Sequence, residues 1–264
     1  MMKDKTFNPK IAQEKIVNWL KDYATNAKVN GFVIGISGGI DSAVTSYLCA
    51  LTGLEVLCLE MPIHQAKNQV DRGKKHINQL KEKFSKVRNL EVDLTASYDT
   101  LAQTYPIYED EKIYHLALAN TRSRLRMTTL YFFAGAERLL VAGTGNKVED
   151  FGVGFFTKYG DGGVDLSPIA DLLKSEVRAL AKHLGVIEEI IQAPPTDGLF
   201  GDNRTDEDQI GANYDELEWA MAQTALGKTT VDFEGREAEV MRIYTHLNRI
   251  NQHKMVPIPV CLIK

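Results

Sequence analysis

An apolar run, Phe32-Val33-Ile34, leads straight into Gly35-Ile36-Ser37-Gly38-Gly39-Ile40-Asp41-Ser42-Ala43-Val44, and Thr45 to Leu51 then continue as a helical pattern. A buried strand, a turn of small residues and a helix start in that order make an anion site. The turn's N–H groups and the helix dipole all face the incoming charge. Gly38 and Gly39 let backbone close on a phosphate, and Ser37 and Ser42 add hydroxyl donors. Asp41 is out of place beside a phosphate unless it holds Mg²⁺, a hard cation that bridges phosphate oxygens. No Gly-Lys-Ser/Thr closes the loop, and it is not G-x-G-x-x-G, so neither common nucleotide fingerprint applies. The plain alternative is a Gly/Ser strand-to-helix turn with no ligand.

The rest of the chain repeats the strand–helix alternation. Ile11, Ile16, Trp19, Leu20 and Tyr23 predict an opening amphipathic helix over 9–29. A strand at 31–36, a helix at 41–52, a strand at 54–61, a charged helix at 66–85 and a strand at 87–94 follow. This βαβαβ order predicts a doubly wound, Rossmann-like parallel α/β sheet with ligands outside the strands' carboxyl ends. Residues 104–112 read as a polar loop, 113–135 as a long helix and 138–144 as a fourth strand. The glycine-rich 145–167 segment reads as a functional loop. Helices are expected at 174–184, 213–225 and 234–250, with an irregular stretch at 193–208.

At 264 residues with 44% hydrophobic content, the chain can bury a full core as one domain. A net charge of −4 argues against general nucleic-acid binding. No run approaches a membrane span, and Met1 to Lys10 lack a secretory apolar region. Cys49, Cys58 and Cys261 have no C-x-x-C spacing; Cys49 and Cys58, in apolar segments, are expected as core thiols, and the cytoplasm as the compartment.

The S-G-G-I-D-S loop resembles that of the N-type ATP pyrophosphatases, which split ATP between its α and β phosphates. Five further segments narrow the resemblance: N-T-R-S-R-L-R-M at 120–127, G-T-G-N-K-V-E-D at 143–150, F-F-T-K-Y-G-D-G-G-V-D at 155–165, P-T-D-G-L at 195–199 and H-K at 253–254. From about residue 11 to 257 the chain is similar to ammonia-dependent NAD synthetases, which have an adenine nucleotide alpha hydrolase-like fold. The resemblance implies a ligase that converts deamido-NAD, ATP and ammonia into NAD through an adenylylated carboxylate, with AMP and pyrophosphate released. It implies one synthetase domain over 1–264, without a glutaminase domain.

The same resemblance assigns residues. Gly35, Ile36, Ser37, Gly38, Gly39, Ile40, Asp41, Ser42, Thr144, Lys174 and Thr196 match ATP contacts, and Asp41 and Glu149 match Mg²⁺ ligands. Asn120, Arg124, Lys158, Asp165, His253 and Lys254 match deamido-NAD contacts. Many members read H-K-R where Met255 stands here, so that corner has one cation fewer. Asn120 and Arg124 also share a helix face by their i, i+4 spacing, while Arg122 and Arg126 lie on another. Lys174 opens a helix, a poor place for a cation unless an anion is near. Asp161 is the candidate to hold ammonium and take its proton, because ammonia must lose one to become a nucleophile.

Two wider expectations follow, and three rivals stand against the whole. The family pairs through the long helix, whose Leu116, Met127, Leu130 and Phe133 predict a homodimer. The 145–167 and 195–207 segments are expected to close as a lid over the reactive intermediate. The rivals are a tRNA-thiolation or lysidine enzyme, a GMP synthetase domain, or a non-catalytic nucleotide sensor. The first wants paired cysteines and a basic surface; a sensor has no use for Asp41, Glu149, Lys174 and Asp161 together.

Overall fold

Four short strands run parallel through the centre: β1 (Gly31–Gly35), β2 (Glu55–Glu60), β3 (Val87–Glu91) and β4 (Leu139–Val141), in the order β3-β2-β1-β4. The computed structural model describes residues 7–65, 67–196 and 205–263. Gly31 pairs with Glu55 on one side of β1 and with Leu139 on the other, so β1 is central and β4 is its neighbour. That adjacency brings Asp41 and Glu149, 108 positions apart in sequence, to one sheet edge.

Ten helices flank the sheet among the described residues: α1 (Pro9–Ala27), α2 (Ile40–Leu51), α3 (Lys67–Lys83), α4 (Thr95–Ala102), α5 (Glu111–Glu137), α6 (Lys174–Leu184), α7 (Glu188–Ile191), α8 (Asp206–Ile210), α9 (Tyr214–Ala225) and α10 (Gly235–Met255). The edge strand β3, Val-Arg-Asn-Leu-Glu, is mostly exposed, whereas the central strand β1 and its neighbours are apolar along their middles because both faces are covered there. Alternation within them sorts the two layers. Phe32, Ile34, Val56 and Cys58 pack with α1, α2, α3 and α6, while Val33, Leu57 and Leu59 pack with α4 and α5. Each large buried side chain of this kind contributes about 1.5–3 kcal/mol. A third cluster, including Val148, Val153, Tyr214, Leu217, Met241 and Tyr244, joins α9 and α10 to the chain beyond β4.

Local signals place the helix ends. Asn8 accepts from the Ile11 N–H ahead of Pro9, and Asp110 accepts from the Lys112 and Ile113 N–H groups, so α5 starts at Glu111 rather than 113. Several elements differ from the sequence expectation. Helix α4 was not foreseen, and α8 forms inside the stretch read as irregular, capped by Thr205. Helix α10 runs five residues past 250, so His253 and Lys254 sit in its last turn. Within 145–167, Val148–Val153 is a π-helical turn, closed by Gly154 at φ +65°. Residues 197–204, most of the second lid segment, lie outside the described residues.

Candidate active site

The loop after β1 is held open by its own atoms. Ile36 N–H donates to the Leu59 carbonyl at 2.9 Å, which keeps the chain in sheet register one residue past β1. Ser42 Oγ then accepts from Ser37 N–H and donates to the Gly39 carbonyl, while Ser37 Oγ accepts from Gly39 N–H. Gly38 has φ +78°, and a Cβ there would stand 2.4 Å from the Gln69 carbonyl oxygen on α3. Only glycine fits both the angle and the space. Gly39 caps α2, so the loop's amides and the helix N-terminus share one opening.

Asp41, in the first turn of α2, turns toward the chain beyond β4. Its Oδ2 accepts from Lys174 Nζ at 2.6 Å and its Oδ1 from Asn146 Nδ2 at 3.2 Å. Lys174 Nζ also reaches Glu149 Oε1 at 3.1 Å. The anionic neighbour that a lysine opening a helix requires is therefore a pair of acids. Burial pushes the Asp41 carboxyl up, against the pull of Lys174. Burial alone would depress Lys174, but Asp41 and Glu149 outweigh it and hold the ammonium charged.

Asp41 and Glu149 line a cleft of about 260 Å³ at the carboxyl ends of β1, β2 and β4, whereas Lys174, assigned to ATP, and Asn146 do not border it. Gly35, Ile36, Ser37, Asp41, Ser42, Thr144, Glu149, Asp161 and Thr196 all border it, so most of the residues assigned to ATP and Mg²⁺ share one wall-to-wall space. Gly38, Gly39 and Ile40 complete the loop at its edge. Asp150 lines the same cleft; burial first, then Glu149, Asp161 and Asp41, pushes its carboxyl up to about 7. Asp41 and Glu149 contact the buried Lys174 ammonium, and Glu60, Asp150, Asp161 and Asp206 join them along the cleft beside Arg126. No three metal-ligating side chains cluster among the described residues. That suits Mg²⁺, which is held by one or two carboxylates plus phosphate oxygens and water; Asp41 and Glu149 fit that demand.

Asp161 belongs to an exposed turn, its carboxylate is partly buried, and it does two things. Its Oδ1 accepts from Ser123 Oγ at 2.7 Å and from Thr157 N–H at 2.9 Å, stapling the glycine turn to α5. Gly160 makes that approach possible, since a Cβ there would meet Ser123 Oγ at 2.3 Å. Asp161 Oδ2 has no hydrogen bond among the described residues, so one oxygen remains for a ligand. Burial raises its carboxyl, opposed by the Ser123 and Thr157 bonds.

The residues assigned to deamido-NAD divide. Asn120 accepts from Thr157 Oγ1 at 2.6 Å, Arg124 Nε donates to the Lys158 carbonyl, and Lys158 Nζ donates to the His253 carbonyl at 2.6 Å. His253 Nδ1 faces the Ile250 carbonyl, and Lys254 Nζ donates to the Gly154 and Phe156 carbonyls. These five form one corner where α5, the 155–158 chain and the end of α10 meet. Asp165 is elsewhere: it accepts from Tyr131 OH and Val141 N–H and makes no contact with that corner among the described residues.

Sequence reasoning missed four residues of the site. Asn146, fully buried, accepts from the Val148 and Glu149 N–H groups while donating to Asp41. Tyr214 OH reaches Glu149 Oε1. Asp150 and Arg126 line the cleft, and Arg126 is tied to the Met61 carbonyl and Gln65. Asn146 carried a weak signal as the first polar side chain past the fourth strand. Tyr214 carried none, since N-Y-D-E reads only as a capped helix start.

A buried pocket at a sheet edge, an amide-lined loop and paired acids on one lysine are what adenylyl chemistry needs, and comparison with known proteins agrees. The sequence profile of the NAD synthase family matches residues 12–257. An NH(3)-dependent NAD(+) synthetase of Carboxydothermus hydrogenoformans is 39% identical over 92% of this chain and 96% of its own length. The structure of NMN synthetase from Francisella tularensis superposes with a TM-score of 0.82 at 30% identity, covering 98% of this chain and 99% of that one. The NH3-dependent NAD synthetase from Campylobacter jejuni shares the fold at a TM-score of 0.77 and 24% identity, covering 97% and 100%. With residues 12–257 matched by the family profile and a 39%-identical relative covering 92% of the chain, the chain belongs to the NAD synthase family.

Proposed function

We propose that this protein is an ammonia-dependent ligase that makes NAD from deamido-NAD, ATP and ammonia. The observation that carries the reading is the convergence of Asp41 and Glu149 on the Lys174 ammonium beside the S-G-G-I-D-S amides. In this reading the loop amides of residues 37–42 bind the β and γ phosphates of ATP, and Thr144 and Thr196 complete the nucleotide site. Asp41 and Glu149 hold Mg²⁺, which when bound neutralises charge on the departing pyrophosphate. Lys174 leaves the two acids for the α-phosphate and stabilises the charge that builds there.

The nicotinate carboxylate attacks the α-phosphorus, the α–β bridging bond breaks and pyrophosphate leaves. Ammonia, held as ammonium by Asp161 Oδ2 until it gives up a proton, attacks the carbonyl carbon, and AMP departs with the C–O electron pair. Holding the carboxylate in line with the α-phosphate replaces about 7–11 kcal/mol of encounter cost. Asn120, Arg124, Lys158, His253 and Lys254 bind the acid substrate, and Asp165, held by Tyr131 OH and Val141 N–H, binds it as well. The test is mass spectrometry after mixing protein, ATP, Mg²⁺, ammonium and deamido-NAD. NAD, AMP and pyrophosphate in equal amounts are expected; ADP, or no ammonium dependence, overturns the reading.

A second acid substrate is favoured by one observation. The Francisella neighbour is an NMN synthetase, and here Lys158 and Lys254 are both bound to backbone carbonyls. Nicotinate mononucleotide carries the same reacting carboxylate with less phosphate to bind. Offering both acids in one tube decides between them by which amide forms faster.

The reading includes a cytoplasmic homodimer through α5. Its apolar face differs from the sequence expectation: Leu130 and Phe133 pack on the sheet and Met127 lines the cleft, whereas Leu116 is 52% and Phe132 68% exposed. Leu116 and Phe132, with Ile113, are therefore the side chains a second copy would cover. Sedimentation at micromolar concentration should give about twice 29.5 kDa, and Phe132→Glu should shift it toward the monomer. No described helix is long and apolar enough to cross a membrane.

A further inference from the structure

Tyr214, the first residue of α9, is fully buried, yet its hydroxyl faces two acids. It stands 2.5 Å from Glu149 Oε1 and 3.3 Å from Asp206 Oδ2. A phenol has one proton, and the shorter contact takes it, so Tyr214 donates to Glu149. Lys174 Nζ lies 4.5 Å from the centre of the same ring, within range of its negative face. Glu149 Oε1 therefore receives two donors, Tyr214 and Lys174, while Oε2 has no hydrogen bond among the described residues.

We propose that Tyr214 is a positioning residue: it clamps the Glu149 carboxylate by one oxygen, presents the other to Mg²⁺, and cradles the Lys174 ammonium on its ring. The inference rests on the reading of Glu149 as a metal ligand. A buried tyrosine that served packing alone would need some partner for its hydroxyl, but not the acid of the site. The clamp also answers a mechanical problem. When Lys174 leaves for the α-phosphate, Glu149 loses one of its two donors and would swing freely without the phenol. Partners that orient a metal ligand typically govern 10–100-fold of metal affinity.

The experiment titrates Mn²⁺ as a Mg²⁺ probe by electron paramagnetic resonance, in the presence of an ATP analogue with a non-hydrolysable α–β link. Tyr214→Phe keeps the ring and its cation contact but removes the donor. Its Mn²⁺ Kd should rise about 10–100-fold, and its turnover should return to within about threefold of the parent at saturating Mg²⁺. Glu149→Gln alone and the double variant Tyr214→Phe/Glu149→Gln complete a cycle. If Tyr214 acts through Glu149, the double variant binds Mn²⁺ no worse than Glu149→Gln.

A Kd unchanged in Tyr214→Phe while Glu149→Gln weakens Mn²⁺ overturns the clamp and leaves the metal reading standing. Unchanged Kd in both variants overturns the metal reading, and the clamp with it. Should Tyr214→Phe not fold, 3-fluorotyrosine at 214 keeps the shape and alters the strength of the donor. A shift in Mn²⁺ Kd then supports the clamp, and none overturns it.

Discussion

The loop at 35–42 and the chain at 145–165 face each other across the cleft, yet they hold their shapes by different means. The first is stabilised from within: Ser42 and Ser37 accept from the Ser37 and Gly39 N–H groups, β1 and β2 fix its start, and α3 lies against Gly38. The second depends on residues far away in sequence. Ser123 of α5 holds Asp161, Asn248 and Asn251 of α10 donate to the Gly152 and Val153 carbonyls, and Lys254 donates to Gly154 and Phe156. Where a wall is local, its sequence announces it. Where a wall is assembled from afar, the sequence shows only glycines and polar residues without period.

The largest expected effect tests whether the two walls act as one site. Asp41 belongs to the first wall and Glu149 to the second, and Lys174 joins them. Asp41→Asn or Glu149→Gln should lower turnover by roughly 10²–10³-fold, the scale of losing one electrostatic stabiliser. Each should leave the unfolding temperature nearly unchanged, since Lys174 keeps the other acid. Normal turnover in both variants at saturating Mg²⁺ would separate the walls into unrelated features.

The same contrast explains what could be read beforehand. The parallel sheet followed from apolar runs with helices between them. The π-helical turn at Val148–Val153 was not legible, because its stability comes from α9 and α10 packing on Val148 and Val153. The corner of Asn120, Arg124, Lys158, His253 and Lys254 was legible only through family resemblance. Asp165 shows the limit of that route: its carboxylate holds β4's Val141 N–H and Tyr131 rather than joining the corner.

A second, smaller effect asks how firmly the first wall is backed. Behind the loop, α2 and α3 meet through Ser46 Oγ and His76 Nε2 at 2.9 Å, and His76 is fully buried. Burial depresses its imidazole from 6.5 to about 4, despite a backbone contact with Ala43 that favours the charge. Above pH 6.5 both folded and unfolded chains carry it neutral, and stability is unaffected. As pH falls from 6.5 to 4, the unfolded chain gains a proton that the folded one refuses, so stability is lost. A gap of about 2.5 units corresponds to on the order of 3 kcal/mol, all of it gone by pH 4. Urea unfolding from pH 7.5 to 4.5 should show this slope, and His76→Gln should flatten it. Equal slopes in the two proteins would mean the α2–α3 seam has no such limit.

The smallest effect tests the claim that the second wall borrows its shape. Lys254 was assigned to substrate, yet its Nζ spans the Gly154 and Phe156 carbonyls, and burial lowers its affinity for a proton. Two bonds from one ammonium tie the last turn of α10 to the chain on which Lys158 stands. Lys254→Met keeps the stem and removes both bonds. Net hydrogen bonds to a charged donor are worth about 1.5–3 kcal/mol, so local opening should become roughly tenfold more frequent. Amide hydrogen exchange without ligands should then speed up across 153–158 and stay unchanged across 36–42. If Lys254 serves only the substrate, exchange in the free protein will not move, and the change will appear as a higher KM for deamido-NAD. Both changes together would give Lys254 two roles, with the tether released as the acid substrate takes over its ammonium.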